Sequence, residues 1–172
     1  MARSVDFAKL TLQDALDLAI LVEAEAQERY VEFSKMTGVG YEGDAADVFR
    51  AMADNEAKHA RQLTERRKAL FGDVPRRIEP EMFFDVEAPD YGKPRVYMGP
   101  RQAMEVALES EKKAYAFYDE ALGHISKADV RKLFTELRDE ELTHQKLLEQ
   151  HMKNVPPGAD IDDDAADEPP AL

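Results

Sequence analysis

The sequence predicts an all-α fold, a four-helix bundle made of two related helical hairpins joined by a long crossover. Three observations lead there. Two blocks of helical apolar periodicity, each with room for two helices of about seven turns, flank residues 72–100, which hold five of the nine prolines and no helical period. The second block also repeats the first. Aligning "FRAMADNEAKHARQL" with "FTELRDEELTHQKLL" pairs Phe49 with Phe134, Asp54 with Asp139, Glu56 with Glu141 and His59 with His144. Aligning "EAEAQERYVE" with "EKKAYAFYDE" pairs Glu23 with Glu111 and Tyr30 with Tyr118.

Each element has its own start and stop signals. The first helix is expected over residues 11–36 with Thr11 as N-cap, and the second over 44–70 with Asp44 as N-cap, "TGVGYEG" forming the turn between them. The prolines of 72–100 stop helices on both sides. The third helix is expected over 100–124, opened by its proline, and the fourth over 127–153, with "ISK" as the break. A connection of nearly thirty residues can run the length of a helix of about 38 Å, so a crossover bundle is favoured over an up-down-up-down one. Residues 1–154 are read as one bundle domain. Residues 155–172 carry six acids, no base and four prolines, and this composition predicts a disordered acidic tail.

Composition narrows the partners. With 36 acids against 23 bases the formal net charge is -13, which repels phosphate backbones and anionic lipid surfaces. Neither nucleic acid nor a membrane is therefore expected as a partner. The longest aliphatic run, "LAILV", is too short to span a bilayer, and a cytoplasmic location is expected. The chain has no cysteine, which rules out disulfides, a cysteine zinc site and any iron–sulfur or rubredoxin centre on these residues.

The buried seams carry the chemistry. In the first helix Leu12, Leu16, Ala19, Glu23, Ala26, Tyr30 and Phe33 alternate steps of four and three and hold one line. The second helix gives Ala45, Phe49, Met52, Glu56, His59 and Leu63, the third Met104, Leu108, Glu111, Ala114 or Tyr115, Tyr118 and Leu122, and the fourth Val130, Phe134, Leu137, Glu141, His144 and Leu148. Every seam holds one glutamate, and the second and fourth add a histidine three residues later on the same face. Four carboxylates bring a charge of about -4 and neutral imidazoles none, so two divalent cations would balance the cluster. Without metal the arrangement is hard to justify. Taking one such ion out of water costs several kcal/mol, and four together exceed the roughly 5–15 kcal/mol that keeps a domain folded. Mixed carboxylate and imidazole ligation with open positions suits iron, with manganese possible, better than a closed zinc site. Glu25, Glu28, Glu32, Glu109 and Glu140 fall off the seams and read as surface charges. His124, near a helix end, lacks such support, as does His151, seven residues beyond His144 on the same face.

The motifs "EAEAQERY", "EAKH", "ESEKKAYAFY" and "EELTH" resemble the ferritin-like superfamily, specifically its rubrerythrin-like and bacterioferritin-like di-iron carboxylate proteins, over about residues 12–152. That resemblance implies a ferritin-like bundle holding two iron ions on Glu23, Glu56, His59, Glu111, Glu141 and His144, with Glu56 and Glu141 bridging. Tyr30 and Tyr118 match tyrosines that back the ligands and join the four glutamates in the implied catalytic set. Departures are equally informative. Rubrerythrin proper carries a four-cysteine rubredoxin domain, whereas this sequence lacks cysteine, so an external electron donor is implied. Ala114 stands where rubrerythrin commonly has an additional glutamate. Ala57 stands where bacterioferritin has its haem methionine, so no haem is expected, and no fifth, cage-building helix is read before the tail. The implied function is an oxidoreductase, expected as a homodimer, that oxidises Fe(II) while reducing H2O2 or O2. Two alternatives stay open: a ferroxidase for iron storage in a ferritin-type assembly, and a non-catalytic metal-binding or interaction bundle.

Overall fold

The structure, a computed structural model, describes residues 6–38, 40–78 and 86–156. A 3-10 turn at Phe7–Lys9 precedes four helices, α1 (Leu12–Met36), α2 (Ala45–Phe71), α3 (Pro100–Leu122) and α4 (Ala128–Met152), and no strand occurs among the described residues. The expected acidic tail lies, from residue 157 onward, outside them.

Local chemistry sets the helix ends. Thr11 Oγ1 accepts from the Asp14 N–H at 3.2 Å while Asp14 Oδ2 accepts from the Thr11 N–H at 3.2 Å, a reciprocal cap that opens α1. Asp44 Oδ1 accepts from the Asp47 N–H at 3.1 Å and opens α2. Between them Gly38 adopts a φ of 94°, and a Cβ there would lie 2.7 Å from Ala46 Cβ, so the turn requires glycine. At α3 the Gln102 side chain accepts from the Gly99 N–H at 2.9 Å and Pro100 fills the first position. This helix stops at Leu122, two residues short of expectation. The Arg131 guanidinium reaches back to the Leu122 and Ile125 carbonyls at 2.6 and 2.8 Å, and the Gly123 and His124 N–H groups close a tight turn onto Glu120 and Ala121.

Two clusters of buried apolar side chains reveal the topology. One joins the start of α1 (Leu16, Leu18), the end of α2 (Leu63), the end of α3 (Tyr118, Leu122) and the start of α4 (Val130, Phe134). The other joins Phe33 at the end of α1, Phe49 at the start of α2, Ala103 and Val106 at the start of α3 and Leu148 at the end of α4. Hence α1 runs parallel to α4 and α2 parallel to α3, as a crossover bundle demands. The connection accordingly travels the length of the molecule. Gln13 Nε2 donates to the Pro75 carbonyl at 3.2 Å, and Arg77 grips Asp14 with contacts of 3.0 and 3.1 Å. Further along, Arg29 donates to the Pro89 carbonyl at 2.6 Å and Lys113 to the Ala88 carbonyl at 3.1 Å. The described part of the crossover thus bridges α1 and α3. None of the described helices is long and apolar enough to cross a membrane.

Candidate metal centre

Between the two apolar clusters the seams bring their polar residues together at mid-height. Glu23, Glu56 and His59 each offer a ligand atom within 4.8 Å of the others, and so do Glu111, Glu141 and His144. His59 Nδ1 lies 3.5 Å from both Glu23 and Glu56. His144 Nδ1 lies 3.2 Å from Glu111 and 3.7 Å from Glu141. The two imidazoles stack face to face, with centroids 4.8 Å apart and planes 4° from parallel. Each hairpin therefore supplies one Glu, Glu, His set, and the sets meet on the pseudo-twofold that relates the halves. The four glutamates are buried and the histidines half-buried.

Tyr30 and Tyr118 are fully buried, with hydroxyls that find no hydrogen-bond partner among the described residues. Tyr30 stacks on Phe49, and Tyr118 meets Phe134 edge-on. Burial and then the charges of Glu111 and Glu56 push the Tyr30 phenol well above its usual range; burial and the charges of Glu23 and Glu141 do the same to Tyr118. Each tyrosine thus feels the lone glutamate of the opposite hairpin. The off-seam glutamates behave as expected at Glu28, Glu32, Glu109 and Glu140, which are exposed, whereas Glu25 is half-buried and paired with Arg29 at 3.3 Å. His124 and His151 are both exposed.

Sequence reasoning missed one member of the site. Glu87, from the irregular crossover, is 2% exposed and lies within ligand distance of Glu23 and Glu141, and of Glu56 and Glu111. The charge count of four carboxylates therefore becomes five. A weak signal was present, since Glu87 falls at the middle of 72–100 and a crossover that runs end to end passes the centre there.

Six oxygens on these five glutamates are buried without a hydrogen bond among the described residues: Glu23 Oε2, both of Glu56, Glu87 Oε2, Glu111 Oε1 and Glu141 Oε2. Such lone pairs are costly unless a cation or proton meets them. Burial, reinforced by the Glu56 charge, raises Glu23 to about 8 against the opposing pull of His59. Burial also drives Glu141 and Glu87 well above the carboxylate range. Hydrogen bonds to Glu23 and Glu56 lift His59 to about 10. Burial pulls His144 down, but Glu111 and Glu141 outweigh it and raise the imidazole to about 11. Without metal the site therefore gathers protons on its imidazoles and carboxylates. The donor set, oxygen-rich with one imidazole per half, fits a pair of iron or manganese ions.

An apolar cavity of about 590 Å³ opens between α2 and α4, walled by Val48, Met52, Met104 and Leu148 and reaching Glu56, Glu111 and His144. His151 stands on its lining.

The arrangement has relatives. A structure of an uncharacterized conserved protein from Magnetospirillum magnetotacticum MS-1 is 28% identical, with a TM-score of 0.65 over 87% of this chain and 99% of that one. A hypothetical protein from Pyrococcus furiosus, 20% identical, shares the fold with a TM-score of 0.51 over 85% of this chain and 90% of its own. So does the dodecameric thioferritin of Bacteroides fragilis, a bacterioferritin-related protein, at 18% identity and a TM-score of 0.52 over 83% of this chain and 84% of that one. No curated protein sequence matches the chain. The bundle is thus ferritin-like, and the sequence model of one family spans all four helices and the crossover, residues 14–152, with the two Glu, Glu, His sets inside it: the chain belongs to the rubrerythrin family.

Proposed function

We propose that the protein is a di-iron oxidoreductase of the rubrerythrin type, in which Glu23, Glu56 and His59 would hold one iron and Glu111, Glu141 and His144 the other, Glu56 and Glu141 serving both. The observation that carries this reading is the pair of mirrored Glu, Glu, His sets, five of whose buried oxygens have no hydrogen-bond partner among the described residues. When bound, two ferrous ions supply one electron each, which with two protons convert H2O2 to two waters.

The protein's own part is position and polarity. His59 and His144, stacked in parallel, set the spacing of the two halves on the side that faces α2 and α4. The apolar walls of Val48, Met52, Met104 and Leu148 leave a small neutral oxidant a way to Glu56, Glu111 and His144. The hydroxyls of Tyr30 and Tyr118, buried and without a hydrogen-bond partner among the described residues, face the charges of the cluster, Glu111 and Glu56 at Tyr30 and Glu23 and Glu141 at Tyr118. Protons that leave His59, His144 and the glutamates on metal binding pass to solvent, and the two that peroxide reduction consumes are drawn from solvent.

Peroxide is the oxidant we favour, because one ferrous pair holds the two electrons it needs, whereas full reduction of O2 to water takes four. An external donor then restores the ferrous pair. Stopped-flow mixing of the Fe(II)-loaded protein with equal H2O2 or O2, followed by the diferric absorbance, tests this, with faster oxidation by H2O2 expected. Faster oxidation by O2 in a many-subunit particle that retains hundreds of irons would overturn the peroxidase reading in favour of storage. Binding without turnover of either oxidant would leave a non-catalytic metal-binding bundle.

A further inference from the structure

We propose that Glu87 is a fifth carboxylate ligand of the metal pair, carried into the bundle by the crossover and shared between its two halves. The inference rests on the di-iron reading and adds to it a residue that no helix supplies.

Placement comes first. Glu87 offers an oxygen within 4.8 Å of ligand atoms of Glu23 and Glu141, and likewise of Glu56 and Glu111. Each of these trios takes one glutamate from each hairpin. Glu87 is therefore the group that sits where the two halves meet, within reach of all four helix glutamates.

Its position is also built. Val86 and Ala88 on either side are buried, and the segment is pinned from both flanking helices, by Lys113 to the Ala88 carbonyl at 3.1 Å and by Arg29 to the Pro89 carbonyl at 2.6 Å. These anchors leave the carboxyl pointing inward, 2% exposed, with Oε2 unpartnered among the described residues. A buried carboxyl kept only for structure would be expected to find a donor, as Asp17 finds Arg67. Glu87 instead meets four other carboxylates, a setting that is tolerable only around cations.

Charge gives the residue a role. Four carboxylates exactly balance two ferrous ions but leave a ferric pair at +2, whereas five leave the ferrous pair at -1 and the ferric pair at +1. A fifth ligand charge thus favours the oxidised state and lowers the reduction potential of the pair.

Cobalt(II) titration of the full chain tests the assignment, followed by calorimetry and by the visible ligand-field bands that report the coordination sphere. The wild type is expected to bind two Co(II) per chain, and Glu87→Gln to bind at least one of them tenfold or more weakly with altered bands, while the helical circular dichroism of the two metal-free proteins coincides. With iron loaded, the variant's midpoint potential should rise. Two Co(II) bound by Glu87→Gln with the wild-type isotherm and bands would overturn the assignment and leave the di-metal reading intact. A wild type that takes up neither Co(II) nor Fe(II) would overturn both. Should Glu87→Gln fail to fold, the wild type decides: Co(II) should slow tryptic cleavage after Arg77 and Arg95 in the crossover relative to cleavage after Lys153, and equal rates with and without Co(II) would sink the proposal.

Discussion

Glu56 has both carboxylate oxygens buried and without a hydrogen bond among the described residues, so it contributes the most unmet valence of the described residues at the centre. Glu56→Ala or Glu141→Ala should abolish two-metal uptake and oxidation of Fe(II), measured by elemental analysis and stopped flow, whereas Glu140→Ala, exposed and one residue off the seam, should leave both nearly intact. The titrating groups make a second prediction. His59 is raised from 6.5 to about 10 and Glu23 from 4.5 to about 8. In both, the folded state holds its proton more tightly than the unfolded chain, so metal-free stability should fall as pH rises from about 4.5 to about 10. Metal binds the deprotonated groups and should reverse that slope. Melting curves at pH 6 and pH 9, in chelator and in Mn(II), check the sign; a metal-free protein more stable at pH 9 would contradict it. The convergence of these residues was legible in the sequence because a glutamate or histidine that interrupts an apolar seam has a fixed direction once the seam is helical. Glu87 was not, because an irregular segment has no period from which to infer which side chain turns inward.

At the scale of elements, α1 and α2 are tied by a buried ion pair away from the centre. Asp17 is fully buried, and Arg67 bonds both of its oxygens while donating to the Gly72 and Val74 carbonyls at 3.2 and 2.7 Å. The same arginine therefore fixes the hairpin and the first step of the crossover. Arg67→Met should destabilise the protein by about 3 kcal/mol because it leaves the buried Asp17 carboxylate with only the exposed Arg76 at 3.7 Å, and adding Asp17→Leu should recover part of the loss; urea unfolding of the single and double variants measures both. The four helices were legible from their periodicity and caps, with Thr11, Asp44 and Pro100 placed as expected. The face of α3 was only half legible. Met104 and Leu108, read as seam residues, are partly buried, and the deeply buried line runs through Ala103, Val106, Ala107 and Ser110. The reason is the crossover, which covers α3 from a second side and so buries positions that a four-helix seam would leave at its edge.

For the molecule as a whole, the centre couples ligand binding to stability. On the proposed di-iron reading Fe(II) or Mn(II) would bind the assembled site and hardly bind the unfolded chain, so the melting temperature should climb with metal concentration and calorimetry should record proton release. A melting temperature and a proton count both indifferent to metal would contradict the charge argument. The net charge of -13 should also draw cations toward the protein, so the rate of metal uptake should fall as ionic strength rises. The parallel pairing of α1 with α4 and of α2 with α3 carries a kinetic consequence. Each hairpin closes over a short turn, but the contacts between hairpins must wait for the long crossover to close, and sequence-distant contacts form late in folding. The two halves of the centre belong to different hairpins, so the centre should be unformed when the folding barrier is crossed. Metal should then leave the refolding rate nearly unchanged and appear almost wholly as slower unfolding, which makes the loaded protein long-lived as well as stable.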